Sequence, residues 1–168
     1  NPVVIESQSD VNSAYDSGRC DVLTTDASGL AASRLEMGNA DEHTILPEII
    51  SKEPLGPAVR QGDTEWFNVV KWTHNALLNA EELGVTQENV EDMKTSENPE
   101  IRRLLGEDKN FGESIGLSQD WAVNIIKAVG NYGEIFERNI GVDTPLEIAR
   151  GQNALWTKGG LQYGMPIR

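Results

Sequence analysis

Apolar and polar positions follow two rhythms along the chain, and the rhythm changes near residue 51. Val3-Val4-Ile5-Glu6 is a short β-favouring run. Ser9 then suits a helix N-cap, with Val11, Ala14 and Tyr15 at helical spacing and Gly18 as the stop. The stretch from Gly18 to Asp26 reads as a buried strand, because Val22 and Leu23 are apolar and Thr24 and Thr25 favour extended backbone. Residues 27–37 turn helical, carrying Leu30 and Leu35, and Gly38 ends them. His43 to Ile50 is an extended segment interrupted by Pro47. The order β-α-β-α-β over about fifty residues predicts a parallel sheet covered by helices, with right-handed crossovers.

From Ser51 to Arg60 the pattern breaks. Pro54, Gly56 and Pro57 exclude a helix interior, so this stretch reads as an extended crossing strand or interdomain connection. Gln61-Gly62-Asp63 is a turn ending in an N-cap. A strong helix follows over 64–82, with Trp66, Val69, Val70, Thr73 and Leu77 forming one stripe predicted to be buried. Thr86 caps a more polar helix over 87–95, and Asn98-Pro99 opens a short one carrying Ile101, Leu104 and Leu105. Residues 106–116 read as a loop. Ser118 caps a helix from Gln119 to Val129, with a break near Asn131 where Gly130 and Gly133 interrupt it. The helix resumes through Ile135, Phe136 and Arg138, and Pro145 begins a last short helix to Arg150. The glycine-rich tail, 159–168, is placed on a surface.

Composition narrows the function classes. At 168 residues the chain can build one core or two small lobes. A net charge of −13 argues against a nucleic-acid partner, because phosphates are repelled. One cysteine and two histidines are too few for a Cys/His zinc site, and no metal site is predicted. No phosphate loop of either common kind occurs, since Lys158-Gly159-Gly160 does not follow a strand, so no cofactor is predicted. There is no Gly-x-Ser-x-Gly elbow. His43 and His74 lack a Ser or Cys at a meaningful spacing and read as surface or packing residues. The pairs Glu81-Glu82, Glu91-Asp92 and Glu107-Asp108 read as solvated faces or caps. Trp66, Trp72, Trp121 and Trp156 are assigned to the core. The opening Asn1-Pro2-Val3 runs almost at once into a strand pattern, so the chain is expected to be cut from something longer.

Asp26 is the residue that this pattern singles out. It stands where a predicted strand ends and a helix begins, which is where open α/β sheets bind ligands. It is either the N-cap of the following helix or a carboxylate facing a cleft to bind a cation. Cys20 is either an inert buried thiol or the partner of a cysteine on another segment. The residues alone support a ligand-binding α/β module and no enzyme.

Ser17-Gly18-Arg19-Cys20-Asp21-Val22-Leu23-Thr24-Thr25-Asp26 resembles the second lobe of periplasmic polar amino-acid-binding proteins. The run Leu46 to Pro57, with Ala80 to Thr86, Val129 to Asn139 and Gly159 to Arg168, is similar to the general L-amino-acid-binding branch of that family. The resemblance covers all 168 residues but only about the C-terminal half of a family member. It implies an α/β, periplasmic-binding-protein-like fold of two lobes with parallel-rich sheets, here incomplete. By it, 1–50 are the later part of lobe 2, 51–60 the hinge strand and 61–168 the C-terminal part of lobe 1. It further implies that Asp26 holds the ligand's α-ammonium group, with Thr25 beside it, and that Cys20 pairs with a cysteine in the absent half. The implied role is periplasmic capture of L-amino acids and delivery to the membrane permease of an ABC transporter.

Two other readings stand beside this one. An enzyme on the same fold, dehydratase-like, needs an additional acid or base near Asp26, and the sequence offers none. A folded or oligomerising module without ligand binding would use unpaired strand edges, Val3–Ile5 first, to pair with the missing half or another copy.

Overall fold

The computed structural model describes residues 2–168. Its contacts divide the chain into two units. One runs up to Leu55 and includes Ile140–Ile148; the other holds Gly56–Asn139 and Ala149–Arg168.

The first unit contains α1 (Gln8–Asp16) and α2 (Ala27–Glu36), followed by a short 3-10 turn over Ala40–Glu42. Ser7, rather than Ser9, occupies the N-cap of α1. The helix closes as its sequence predicts. Gly18 takes φ 72°, its N–H donates to Tyr15 O at 2.9 Å and the Arg19 N–H to Ala14 O at 3.0 Å. This pair of bonds satisfies carbonyls that the last turn leaves open. Ala14, Ala31 and Ser33 are buried, and Asn12 Nδ2 donates to Glu36 Oε2 at 3.1 Å. His43 packs on Tyr15, with ring centroids 5.3 Å apart and Nδ1 3.2 Å from the Tyr15 hydroxyl.

The three predicted strands do not form. Among the described residues, no backbone hydrogen bond joins 3–6, 20–25 and 44–50 to one another or to another segment, and the His43 N–H donates only to the nearby Ala40 carbonyl. Val4 is 90 % exposed and Val22 68 %, so the stretch before Asp26 is not a buried strand. The residue types favour extended backbone, but a strand also needs a neighbour to complete its ladder of hydrogen bonds. Without that ladder the predicted parallel-rich sheet is absent among the described residues. The strand propensity of these stretches is real and unpartnered.

The second unit is helical and holds most of the core. Its elements are α3 (Thr64–Glu82), α4 (Val90–Met93), α5 (Pro99–Leu104), α6 (Trp121–Val129) and α7 (Tyr132–Ile140), the last ending at the unit's border. Asp63 caps α3, its Oδ1 accepting the Trp66 N–H at 3.0 Å. Ala76, Leu77 and Ala80 of α3 pack with Val85, Leu105 and Ile126 in one cluster. Each large side chain fully buried there contributes about 1.5–3 kcal/mol. The predicted stripe of α3 is buried only toward its C-terminal end. Trp66 is 54 % exposed, because no other element covers the first turn, so Trp66 is not a core tryptophan. Trp121 is buried, and Trp72 packs against the same cluster.

The predicted break falls at Asn131. Gly130 adopts φ 80° and Asn131 starts α7 through reciprocal bonds with Glu134. The Glu134 N–H donates to Asn131 Oδ1 at 3.0 Å and the Asn131 N–H to Glu134 Oε2 at 2.8 Å. Two orphan donors of the first turn are thereby satisfied. The Asn131 amide also donates to Val85 O at 2.9 Å, tying α7 to the loop after α3. The helix predicted from Pro145 to Arg150 does not form: Pro145 and Leu146 lie in a turn and 147–150 are irregular. Glu147 sits at φ 53°, a left-handed conformation that a right-handed helix cannot include.

The tail lies on the surface, as predicted, but is tied down. Asn75 and Asn79, one turn apart on α3, grip Met165: its N–H donates to Asn75 Oδ1 at 2.6 Å and its carbonyl accepts from Asn79 Nδ2 at 2.7 Å. Gly164 permits this approach, since a Cβ there would lie 3.1 Å from Leu78 Cβ. Trp156 is half exposed, with its Nε1 donating to Glu82 Oε1 at 3.2 Å, so it is a surface residue rather than a core one. Among the described residues no helix is long and apolar enough to cross a membrane.

Candidate ligand-binding site

Asp26 is the N-cap of α2. Its Oδ2 accepts the Gly29 N–H at 3.0 Å and the Ser28 hydroxyl at 2.8 Å, while its Oδ1 accepts the Thr25 hydroxyl at 3.1 Å. The capping role read from the sequence is therefore present. It does not exhaust the carboxylate. Two oxygens offer about four lone-pair positions, and three donors occupy them. Oδ1 has one donor and can accept another.

The same bonds fix the charge. The Ser28 hydroxyl, then the Gly29 N–H and the Thr25 hydroxyl, hold the Asp26 carboxyl below its ordinary value, against a weaker opposing effect of burial. Asp26 is thus an ionised, oriented acceptor at neutral pH. Thr25 places its proton on Asp26, which leaves the lone pairs of its own oxygen as a second acceptor beside the first. Asp26 is half-buried and Thr25 exposed, so both are open to an incoming donor. An ammonium group, with three donors in a small volume, suits such a pair.

Sequence reasoning paired Asp26 with Thr25 and missed Ser28 and Gly29. The signal for both was the cap itself, whose third position donates its N–H to the capping side chain. Gly29 has a further reason to be small. A Cβ there would stand 3.1 Å from both Asp26 Oδ1 and Thr25 Cγ2.

Cys20 is half-buried and forms no disulfide among the described residues. No group of three or more His, Cys, Asp or Glu side chains is placed to hold a metal ion among them.

No protein-family model matches the chain. Individual relatives do. Over 170 residues the chain is 65 % identical to the general L-amino acid-binding periplasmic protein of Rhizobium johnstonii, an alignment covering 100 % of this chain and 50 % of that protein. Over 168 residues it is 53 % identical to the glutamate/glutamine/aspartate/asparagine-binding protein of Rhodobacter capsulatus, covering 99 % of this chain and 50 % of that one. Among solved structures, an ABC transporter/periplasmic binding protein from Brucella ovis with glutathione bound superposes with a TM-score of 0.95 at 65 % identity, covering 100 % of this chain and 53 % of that chain. The chain spans about half the length of the relatives it matches. These relatives are substrate-binding transport proteins and not enzymes, which does not favour the dehydratase-like reading. The fold, shared along the whole chain, is that of the periplasmic binding proteins. The chain belongs to the periplasmic amino-acid-binding proteins of ABC transporters.

Proposed function

We propose that this chain supplies part of a receptor that captures L-amino acids between two lobes and delivers them to the membrane permease of an ABC transporter. The observation that carries the reading is the Asp26 carboxylate, ionised and held by three donors with an acceptor position to spare. Asp26 Oδ1 and the Thr25 hydroxyl receive the ligand's ammonium group. Lobe closure around them lowers the local dielectric and strengthens that charge-assisted bond.

In this reading 1–50 belong to lobe 2, 51–60 cross between lobes and 61–168 belong to lobe 1. Pro54 and Pro57 then restrict which backbone bonds of the crossing rotate during closure. The unpartnered extended segments 3–6, 20–25 and 43–50 complete parallel-rich sheets by pairing with strands of the other half. Val3–Ile5 is the first edge to be covered, and Cys20 forms a disulfide with a cysteine of that half.

The test is titration of a panel of L-amino acids, by calorimetry, onto this chain joined to the preceding half of its Rhizobium johnstonii relative. Saturable binding by one or more of them is expected. A folded, cooperatively melting protein that binds none of the panel overturns the reading.

A further inference from the structure

The first turn of α3 carries two large aromatic side chains that the second unit leaves in water. Trp66 is 54 % exposed and Phe67 48 %. Further along the same helix Ala76, Leu77, Leu78 and Ala80 are buried. Trp66 heads the stripe that runs through Val69, Val70 and Thr73 to Leu77, so a face that packs at one end of α3 continues, apolar and uncovered, to the other. Phe67 also walls a groove of ≈ 170 Å³ with Val59, Arg60 and Gly62 of the turn before the helix. Single exposed apolar residues are ordinary, but two adjacent aromatics beside a groove form a patch.

The surroundings decide what covers it. A small-molecule site holds its ligand with a few free polar groups, and the carboxylate here, Asp63, is already used in capping α3. Among the described residues no buried, unpartnered side-chain atom lies in the groove. A second copy of the chain brings a like net charge of −13 and is repelled. The remaining candidate is chain of the same protein. The relatives that this chain matches are about twice its length, so about as much chain again lies outside it. A segment of that size has an apolar face of its own to bury.

We propose that the half of the receptor preceding this chain docks on the first turn of α3, burying Trp66 and Phe67 and filling the groove beside Val59. This rests on the reading above only in so far as a preceding half joins this chain. It adds that the helical second unit, and not only the extended segments of the first, is completed by that half.

The test uses this chain joined to the preceding half of its Rhizobium johnstonii relative. Trp66→Phe assigns the Trp66 indole signal in ¹H–¹⁵N spectra by removing it. A soluble gadolinium chelate should leave that signal sharp while it broadens the indole of free N-acetyltryptophanamide in the same tube. Trp66→Ala should lower the melting temperature by about 5 °C or more, as for a packed aromatic. The proposal is overturned if the chelate broadens Trp66 as it does the free indole, or if Trp66→Ala melts within about 1 °C of the parent, as a surface substitution does. Protection that appears only as protein concentration is raised overturns it too, because a second copy would then be the cover. So does a joined protein without a cooperative melting transition. Amino-acid titration of the same protein keeps the two readings apart. A shielded Trp66 without amino-acid binding removes only the function proposed above, and binding with Trp66 open removes only this docking.

Discussion

Gly29 and Asp26 stand so close that a Cβ on Gly29 would lie 3.1 Å from Asp26 Oδ1. The helix start and the candidate ligand acceptor are therefore one construction: the carboxylate is oriented because the third residue of α2 has no side chain to push it away. In Gly29→Ala the carboxylate and the Thr25 methyl must both give way. Alanine favours a helix by about 1 kcal/mol over glycine, so overall stability should change by less than about 1 kcal/mol. The Asp26 titration midpoint should nonetheless rise toward its ordinary value. Thermal melting and a carboxyl-carbon NMR titration of the variant read the two effects separately.

Acid should loosen the start of α2 later than it neutralises an ordinary aspartate. The native Asp26 carboxyl is held below 3.8, the ordinary value, by Ser28, Gly29 and Thr25. A carboxylate depressed on folding contributes stability that is fully present above the ordinary value and is lost as the pH falls through the lower native one. The carboxyl-carbon resonance should therefore titrate with a midpoint under 3.8. A midpoint at or above that value contradicts the hydrogen bonds described.

Asn131 carries more than its cap. It receives the Glu134 N–H and also donates to the buried Val85 carbonyl. Asn131→Ala loses a capping acceptor, worth about 1 kcal/mol, and strands a buried carbonyl, which costs a further ~1–3 kcal/mol. Urea denaturation should show a loss of about 2–4 kcal/mol for this variant, and under about 1 kcal/mol for Glu134→Gln, whose amide oxygen still accepts.

What the sequence made legible was local. Gly18 after α1, Asp63 before α3 and the break at Asn131 each follow from a few neighbouring residues, and each is in the structure. What it obscured was partnership. Val22 and Leu23 have the character of a buried strand, yet Val22 is exposed because no described segment pairs with it. Trp66 begins an apolar stripe whose first turn the rest of the unit does not cover. Pro145 is a plausible helix start, but Glu147 two residues on takes a left-handed conformation that no propensity rule announces. At the candidate site, the capping role of Asp26 was readable from the helix start that follows it. Ser28 and Gly29 needed the hydrogen bonds.

The central claim is that the Asp26 charge holds the ligand's ammonium group. Asparagine caps helices as well as aspartate does, so Asp26→Asn keeps α2 while removing the charge. The decisive measurement is calorimetric binding of the best-bound L-amino acid to the chain joined to its relative's preceding half, with and without that substitution. Loss of one partner of a buried charge pair costs about 2 kcal/mol or more, so affinity should fall roughly 30-fold or more while the melting temperature holds. Equal affinity in the two proteins would contradict the account and leave Asp26 a helix cap alone.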